Sequence, residues 1–110
     1  MKARGASNRR RGTNDYADVG NRASESMLVK AQLVSRIAEL LAERGLTPTE
    51  AVTLLGVPEL KLAKMLRGQF GGFSLYELLK CFTHLGYDVH IVIRPRPDKR
   101  STGTLSVTFA

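Results

Sequence analysis

Features that assign many chains to a protein class are scarce or missing in this sequence. It has no tryptophan, aromatic residues make up only 6% of it, and Cys81 is the one cysteine among 110 residues. A lone cysteine excludes an intramolecular disulfide and is typical of proteins in a reducing compartment. No apolar run approaches the roughly 20 residues of a membrane-spanning helix, and none follows the basic N-terminus as a secretion signal requires. We therefore expect a cytoplasmic protein without a membrane anchor.

Catalytic and metal-binding patterns are missing as well. His84 and His90 have no further ligands at the close spacing of a metal site, and Cys81 falls beside an apolar helix stripe, which favours a small core residue. No Ser/His/Asp set or carboxylate pair stands out, and Gly71-Gly72 lacks the Lys-Ser of a phosphate-binding loop. We predict no enzymatic activity, no metal site and no cofactor.

Positive charge is abundant and unevenly distributed. The formal net charge is +7, to which residues 1–13 contribute +5, residues 14–57 contribute −2 and residues 58–110 contribute +4. This asymmetry favours a polyanionic partner, most often nucleic acid, although a merely basic soluble protein also fits. Residues 1–13 have no apolar periodicity, so we predict a disordered basic arm there.

Apolar periodicity and helix-capping residues predict a mainly α fold. We predict helices over residues 26–44, 48–55, 58–67 and from Leu75 up to Gly86. Ser24 or Ser26 can cap the first helix, and capping boxes at 47–50 and 74–77 begin the second and fourth. The glycines placed to end these helices are Gly45, Gly56, Gly68 and Gly86.

The second and third predicted helices have the spacing of a helix-turn-helix motif. The predicted core of the motif is Val52, Leu55, Gly56, Val57 and Leu62. On the third helix, Leu62, Met65 and Leu66 are expected to face inward. The polar side of the third helix offers cations for phosphates or guanine. Glu59 can accept from cytosine N4, pair with a lysine of its helix, or act as a favourable acid at a helix N-terminus. The predicted DNA-binding residues are Thr47, Glu59, Lys61, Lys64, Arg67 and Gln69.

The periodicity changes to two after Gly86. Val89, Ile91 and Ile93 fall on one face of an alternating segment, and a second alternating segment follows a polar loop. We predict a two-stranded hairpin over 87–110. An isolated hairpin is marginal in water, so its strands should pack on the helices or pair across a dimer. The predicted dimer contacts are Val89, Ile91 and Ile93.

Three stretches carry a resemblance to a known family: NDYADVG, then LVKAQLVSRIAELLAERGLTPTEAVTLLGV, then KMLRGQFGGFSLYELLKCFTHLGYDVHIVIRP. They resemble the XRE/Cro-type helix-turn-helix proteins of bacteria and, more narrowly, the HigA-like antitoxin branch of toxin–antitoxin systems. The resemblance implies a λ-repressor-like bundle over 14–86 and a C-terminal β-strand region over 87–110 that supports a homodimer.

The resemblance also implies a function. The chain would be a nucleoid-associated, sequence-specific regulator that binds double-stranded operator DNA, represses its own operon and neutralises a RelE-like toxin. The chain departs from the family at Pro48 and Glu59, where glutamines usually contact DNA, at Pro58, where a small capping residue is usual, and at Val52, which is usually Ala. Two alternatives therefore remain, an orphan XRE-type regulator and a protein-interaction module with weakened DNA readout.

Overall fold

The computed structural model describes residues 12–98 and 101–110, with side chains from residue 24 onward. Within this part of the chain four helices form: α1 (Gly12–Arg44), α2 (Pro48–Leu55), α3 (Glu59–Leu66) and α4 (Leu75–His84). Their order and the ends of the last three agree closely with the mainly α fold predicted from the sequence.

Helix α1 begins earlier than the sequence pattern predicts. A start at Ser24 or Ser26 is wrong, because the helix is continuous from Gly12. No proline interrupts it, and a lone interior glycine such as Gly20 costs only about 1 kcal/mol relative to alanine, so both serines lie inside the helix. Most of the predicted basic arm, residues 1–11, lies outside the described residues, while the last two residues of that arm belong to α1.

Helices α2 and α4 begin with the predicted capping boxes. The Thr47 hydroxyl accepts a hydrogen bond from the Glu50 N–H at 3.2 Å, and the Glu50 carboxylate accepts from the Thr47 N–H at 2.9 Å. Ser74 and Glu77 repeat the arrangement at 3.1 and 2.8 Å. These bonds satisfy N–H groups that the first turn of a helix leaves without a partner, so both starting points are fixed locally.

Acid should weaken both capping boxes. The hydrogen bond from the Thr47 backbone lowers the pKa of Glu50, and hydrogen bonds from Lys61 and then from the Ser74 backbone lower the pKa of Glu77. A carboxyl group with a lowered folded-state pKa stabilises the fold above its unfolded pKa of about 4.3 and loses this contribution as the pH falls through the folded value. We therefore expect the thermal unfolding midpoint, followed by circular dichroism, to fall below about pH 4.

The control for this prediction is the double variant Glu50→Gln with Glu77→Gln. A glutamine side chain can still accept the N–H bonds of the two caps but does not titrate in this range. Its unfolding midpoint should start lower at neutral pH and fall less in acid. An acid-induced fall as large as that of the wild type would contradict the assignment to these two carboxyl groups.

The apolar core lies where α1 meets the other helices. Helix α1 supplies six of its residues, and Met65 of α3 and Leu78 of α4 are fully enclosed between the helices. Cys81 is a buried core residue, which confirms its interpretation from the sequence. The Arg44 guanidinium donates to the Leu85 carbonyl and so ties the end of α1 to the end of α4. The buried core residues are Val29, Leu33, Val34, Ile37, Leu40, Leu41, Ala51, Leu55, Leu62, Met65, Phe73, Leu78, Cys81, Phe82 and Leu85.

The predicted C-terminal hairpin is wrong for the single chain, because residues 87–98 and 101–110 form no strand. The last segment packs on the helices instead. Val107 contacts the core, and the ring centre of Phe109 lies 5.8 Å from that of Phe82. The Leu105 N–H donates to the Glu25 carboxylate of α1 at 3.3 Å. Two strands alone bury little apolar surface, so these side chains gain more by covering α1 and α4.

Residues 87–94 form no helix, strand or turn in the single chain, and their side chains are exposed. Gly86 ends α4 with a φ of 88°, and the Tyr87 N–H donates to the Phe82 carbonyl at 2.9 Å, which turns the chain away from the helix. The Tyr87 ring meets the Phe82 ring edge-on at 6.1 Å. Beyond this anchor the apolar side chains point into solvent, with Ile91 75% and Ile93 91% exposed.

Candidate nucleic-acid interface

Helices α2 and α3 meet at a turn that depends on glycine. Gly56 has φ 68° and ψ 28°, and its N–H donates to the Val52 carbonyl at 2.9 Å. A Cβ atom at this position would meet nothing within 4 Å, so the left-handed backbone, and not crowding, selects glycine. Leu55 and Leu62 are buried on either side of the turn, and Val52 and Val57 pack partly buried against the core. The five predicted core residues of the motif are thus grouped around this turn.

Helix α3 has an inward and an outward face. Leu62 and Met65 are buried against the core. Successive residues of an α-helix are about 100° apart, which places Leu60, Lys64 and Arg67 on the side opposite to these two. All three are exposed. We call Leu60, Lys64 and Arg67 the outward face of α3.

Two unpaired cations lie on the outward face. Among the described residues, neither Lys64 nor Arg67 forms an ion pair. The end of the helix next to them is well ordered by hydrogen bonds. The Gly68 N–H donates to the Met65 carbonyl at 2.9 Å, and the Gln69 N–H donates to the Lys64 carbonyl at 2.8 Å. An ammonium and a guanidinium one helical turn apart suit two phosphates, or a phosphate and a guanine.

Lys61 differs from the other predicted DNA contacts because it is engaged within the protein. Its Nζ lies 2.8 Å from the Glu77 carboxylate and 4.6 Å from the ring centre of Phe73. These contacts hold Lys61 on the flank of α3 that faces α4. A DNA contact by Lys61 stays a prediction, and its formation requires the ammonium to leave or share the Glu77 carboxylate.

Glu59 and Thr47 stand at the starts of α3 and α2. Glu59 is exposed and follows Pro58, which occupies the N-cap position without a side-chain cap bond. Within residues 24–98 and 101–110 Glu59 forms no ion pair, so the predicted bond to a lysine of α3 is absent. Its other two roles, cytosine readout and a favourable charge at the helix start, stay predictions. The Thr47 hydroxyl accepts from Glu50, and its own hydrogen remains available to a phosphate.

Leu60 is absent from the predicted site, and Leu66 is more exposed than predicted. Leu60 is 67% exposed on the outward face, while Leu66, expected to face inward, is 48% exposed. Counting about 100° per residue from Leu62 places Leu60, two residues away, on the outward face. Leu66 is four residues and thus only about 40° from Leu62, but it is about 100° from Met65 and lies at the edge of the buried face, so spacing from Leu62 alone does not predict its exposure.

Other kinds of site have little basis within the part of the chain that the structure describes. It contains no cluster of three or more His, Cys, Asp or Glu residues able to hold a metal ion. None of its helices combines the length and apolarity that crossing a membrane requires. Burial, and to a lesser degree the charge of Glu77, raises the pKa of the Cys81 thiol, which disfavours the reactive thiolate.

Comparison with known proteins agrees with this geometry. Residues 16–94 match the family model for the helix-turn-helix domain. A solved structure named as an XRE-family transcriptional regulator superposes with a TM-score of 0.73 and 27% sequence identity, over 80% of this chain and 99% of that chain. No curated protein matches the chain. The residues matched by the family model include both helices of the motif, the turn between them and the exposed segment 87–94.

Proposed function

The chain belongs to the helix-turn-helix domain family, and from that premise we propose that it is a sequence-specific DNA-binding regulator of transcription. The observation that carries the proposal is the outward face of α3, where Lys64 and Arg67 are exposed and unpaired among the described residues. An α-helix fits the major groove of B-DNA, and the second helix of this motif is the one that enters it. The similarity to a solved XRE-family regulator supports the same conclusion.

The proposed interface extends beyond the outward face. Thr47 and Gln69 are exposed at the start of α2 and just after α3, and both carry hydrogen-bond donors suited to phosphate oxygens. Lys64 and Arg67 both add charge-assisted contacts to the DNA. Glu59 accepts from a cytosine amino group where the preferred sequence presents one. A protein that binds DNA in this way is associated with the nucleoid.

We further propose a homodimer formed through residues 87–94. The segment has alternating, exposed apolar side chains, and a chain of this kind can become a strand by pairing its backbone with that of another chain. In the proposed dimer Val89, Ile91 and Ile93 of one copy pack against those of its partner, and the two backbones exchange hydrogen bonds. The twofold axis would present two α3 helices to successive major grooves, about 34 Å apart.

The test is a binding comparison with the full chain. Its affinity for the duplex upstream of its own gene is measured against a duplex of the same length and composition in shuffled order, between about 50 and 200 mM salt. We expect a clear preference for the upstream duplex and an affinity that falls steeply with salt, because cations released from phosphates drive binding. Equal affinity for both duplexes at about 150 mM salt would count against the proposal and favour a protein-interaction module.

A second candidate function is that of an antitoxin that represses its own operon and neutralises a RelE-like toxin. It is favoured by the resemblance to HigA-like proteins and by the apolar segment 87–94, because exposed apolar side chains of this kind mark a surface that binds another protein. Co-expression with the product of the adjacent gene tests it. A stable complex that relieves growth arrest supports the antitoxin role. The absence of a complex leaves an orphan XRE-type regulator as the better description.

A further inference from the structure

We infer that Leu60 is the residue through which this protein recognises thymine, by contact with the C5-methyl group in the major groove. The inference rests on the proposed DNA-binding function and assigns a base-reading residue to it. It starts from one observation, a leucine that is 67% exposed on the helix expected to enter the groove.

The position of Leu60 on α3 is central. The buried side chains of Leu62 and Met65 define the inward direction of the helix. With about 100° between successive residues, Leu60 points almost directly away from it, between Lys64 and Arg67. Glu59 lies about 100° around the helix from Leu60, on a flank. A helix that enters the groove with its outward face therefore brings Leu60 closest to the base edges near its N-terminus.

The neighbouring side chains leave little other base readout at this end of α3. Pro58 has no side-chain donor or acceptor, and Lys61 is bound to Glu77 at 2.8 Å on the flank that faces α4. Among the first residues of the helix, only Glu59 and Leu60 remain exposed and unengaged within the described residues. Glu59 suits a cytosine amino group, and Leu60 suits the one apolar group that bases present in the major groove, the thymine methyl.

The flanking cations hold Leu60 at a fixed position over the base edges. Lys64 and Arg67 are exposed beside Leu60 on the outward face and can hold the helix to phosphates in a fixed register. In that register a thymine methyl beneath Leu60 is removed from water together with the leucine side chain. Burial of one methyl group corresponds to about a fourfold gain in affinity, and any other base at that position lacks this gain.

The experiment uses duplexes that differ by methyl groups alone. The full chain first selects its preferred sequence from a duplex pool with a randomised centre. Each thymine of the selected duplex is then replaced in turn by deoxyuridine, which pairs identically but has no C5-methyl group. Affinities are measured by fluorescence anisotropy for the wild type, for Leu60→Ala, and for Leu66→Ala as a matched control on the same helix.

We expect the binding affinity to depend on the methyl group of one thymine in each half-site. Its replacement should weaken wild-type binding by about fourfold, and replacement in both half-sites by about fifteenfold. Leu60→Ala should bind the thymine and uracil duplexes equally. Leu66→Ala should behave like the wild type, because Leu66 lies about 120° around the helix from Leu60.

Each contrary outcome identifies what fails. If the protein enriches a sequence that has no thymine in its half-sites, or binds the uracil duplexes as tightly as the thymine duplex, the inference is overturned and the proposed function stands. The same holds if the uracil penalty persists in Leu60→Ala, since another residue must then contact the methyl group. If the pool yields no preferred sequence, the proposed function fails, and the inference fails with it.

Discussion

Replacing Ile91 with aspartate is expected to turn the proposed homodimer into monomers and to weaken binding to a two-half-site duplex by about a hundredfold or more. In the single chain this side chain is 75% exposed, so the variant should fold normally. In the proposed strand pair, the aspartate would be buried beside apolar side chains without a partner, which is strongly unfavourable. Sedimentation equilibrium measures the monomer fraction, and fluorescence anisotropy measures the affinity.

Two comparisons make this prediction specific. Affinity for a duplex with a single half-site should be almost unchanged, because each protomer keeps its own α3. Val92→Asp introduces the same charge on the opposite face of the segment, where the side chain is 71% exposed, and should perturb the dimer less. A dimer that survives Ile91→Asp, or that is lost equally in both variants, would contradict the assignment of Val89, Ile91 and Ile93 to the interface.

Removing both outward cations is the second change with a large expected effect. In the double variant Lys64→Ala with Arg67→Ala, the slope of log affinity against log salt should become shallower by about 1.8 per protomer, or about 3.6 for a dimer. Affinity near 0.15 M salt should fall by about a hundredfold or more, because the variant contacts fewer phosphates and its binding therefore releases fewer counterions from the DNA. Both side chains are exposed and unpaired within residues 24–98 and 101–110, so the fold should be unaffected.

The control for this variant removes charge elsewhere. Lys30→Ala takes one positive charge from α1, outside the motif, and should change the slope much less than Lys64→Ala alone. Lys61→Ala is informative as well, because Lys61 is already paired with Glu77, and we expect an intermediate change. If Lys30→Ala and Lys64→Ala reduce the slope equally, the protein binds DNA through its overall charge and not through the outward face.

Elements encoded by nearby residues are the ones that the sequence predicts well. Both capping boxes join residues three positions apart, and Gly56 ends α2 in the left-handed conformation expected of it. These bonds form within a single turn of chain, so composition and spacing suffice to predict them. The burial of Cys81 is predictable for a related reason, since it falls on the apolar side of an amphipathic helix.

Features that depend on a distant partner are not predictable in this way. Lys61 is sixteen residues from Glu77 in sequence, and its charge alone made it look like a DNA contact. The alternating pattern near Phe109 shows that one face of this segment is apolar, but it does not show whether that face packs on a strand or on a helix. In the structure the segment packs on α1 and α4. The start of α1 was missed because serines favour caps without forcing the chain to stop.

Chemical labelling of the buried Cys81 thiol can report transient opening of the core. The side chain is 1% exposed in the core, on the side of α4 near the turn between α2 and α3, and the chain has no second cysteine to react. A thiol-specific reagent can therefore modify it only in molecules whose core has transiently opened around this side chain, and the labelling rate measures how often this happens. Helix α4, which carries Cys81, is tied to α3 through the ion pair between Glu77 and Lys61. A slower labelling rate on addition of a DNA duplex would show that a ligand bound to α3 makes opening of the core less frequent.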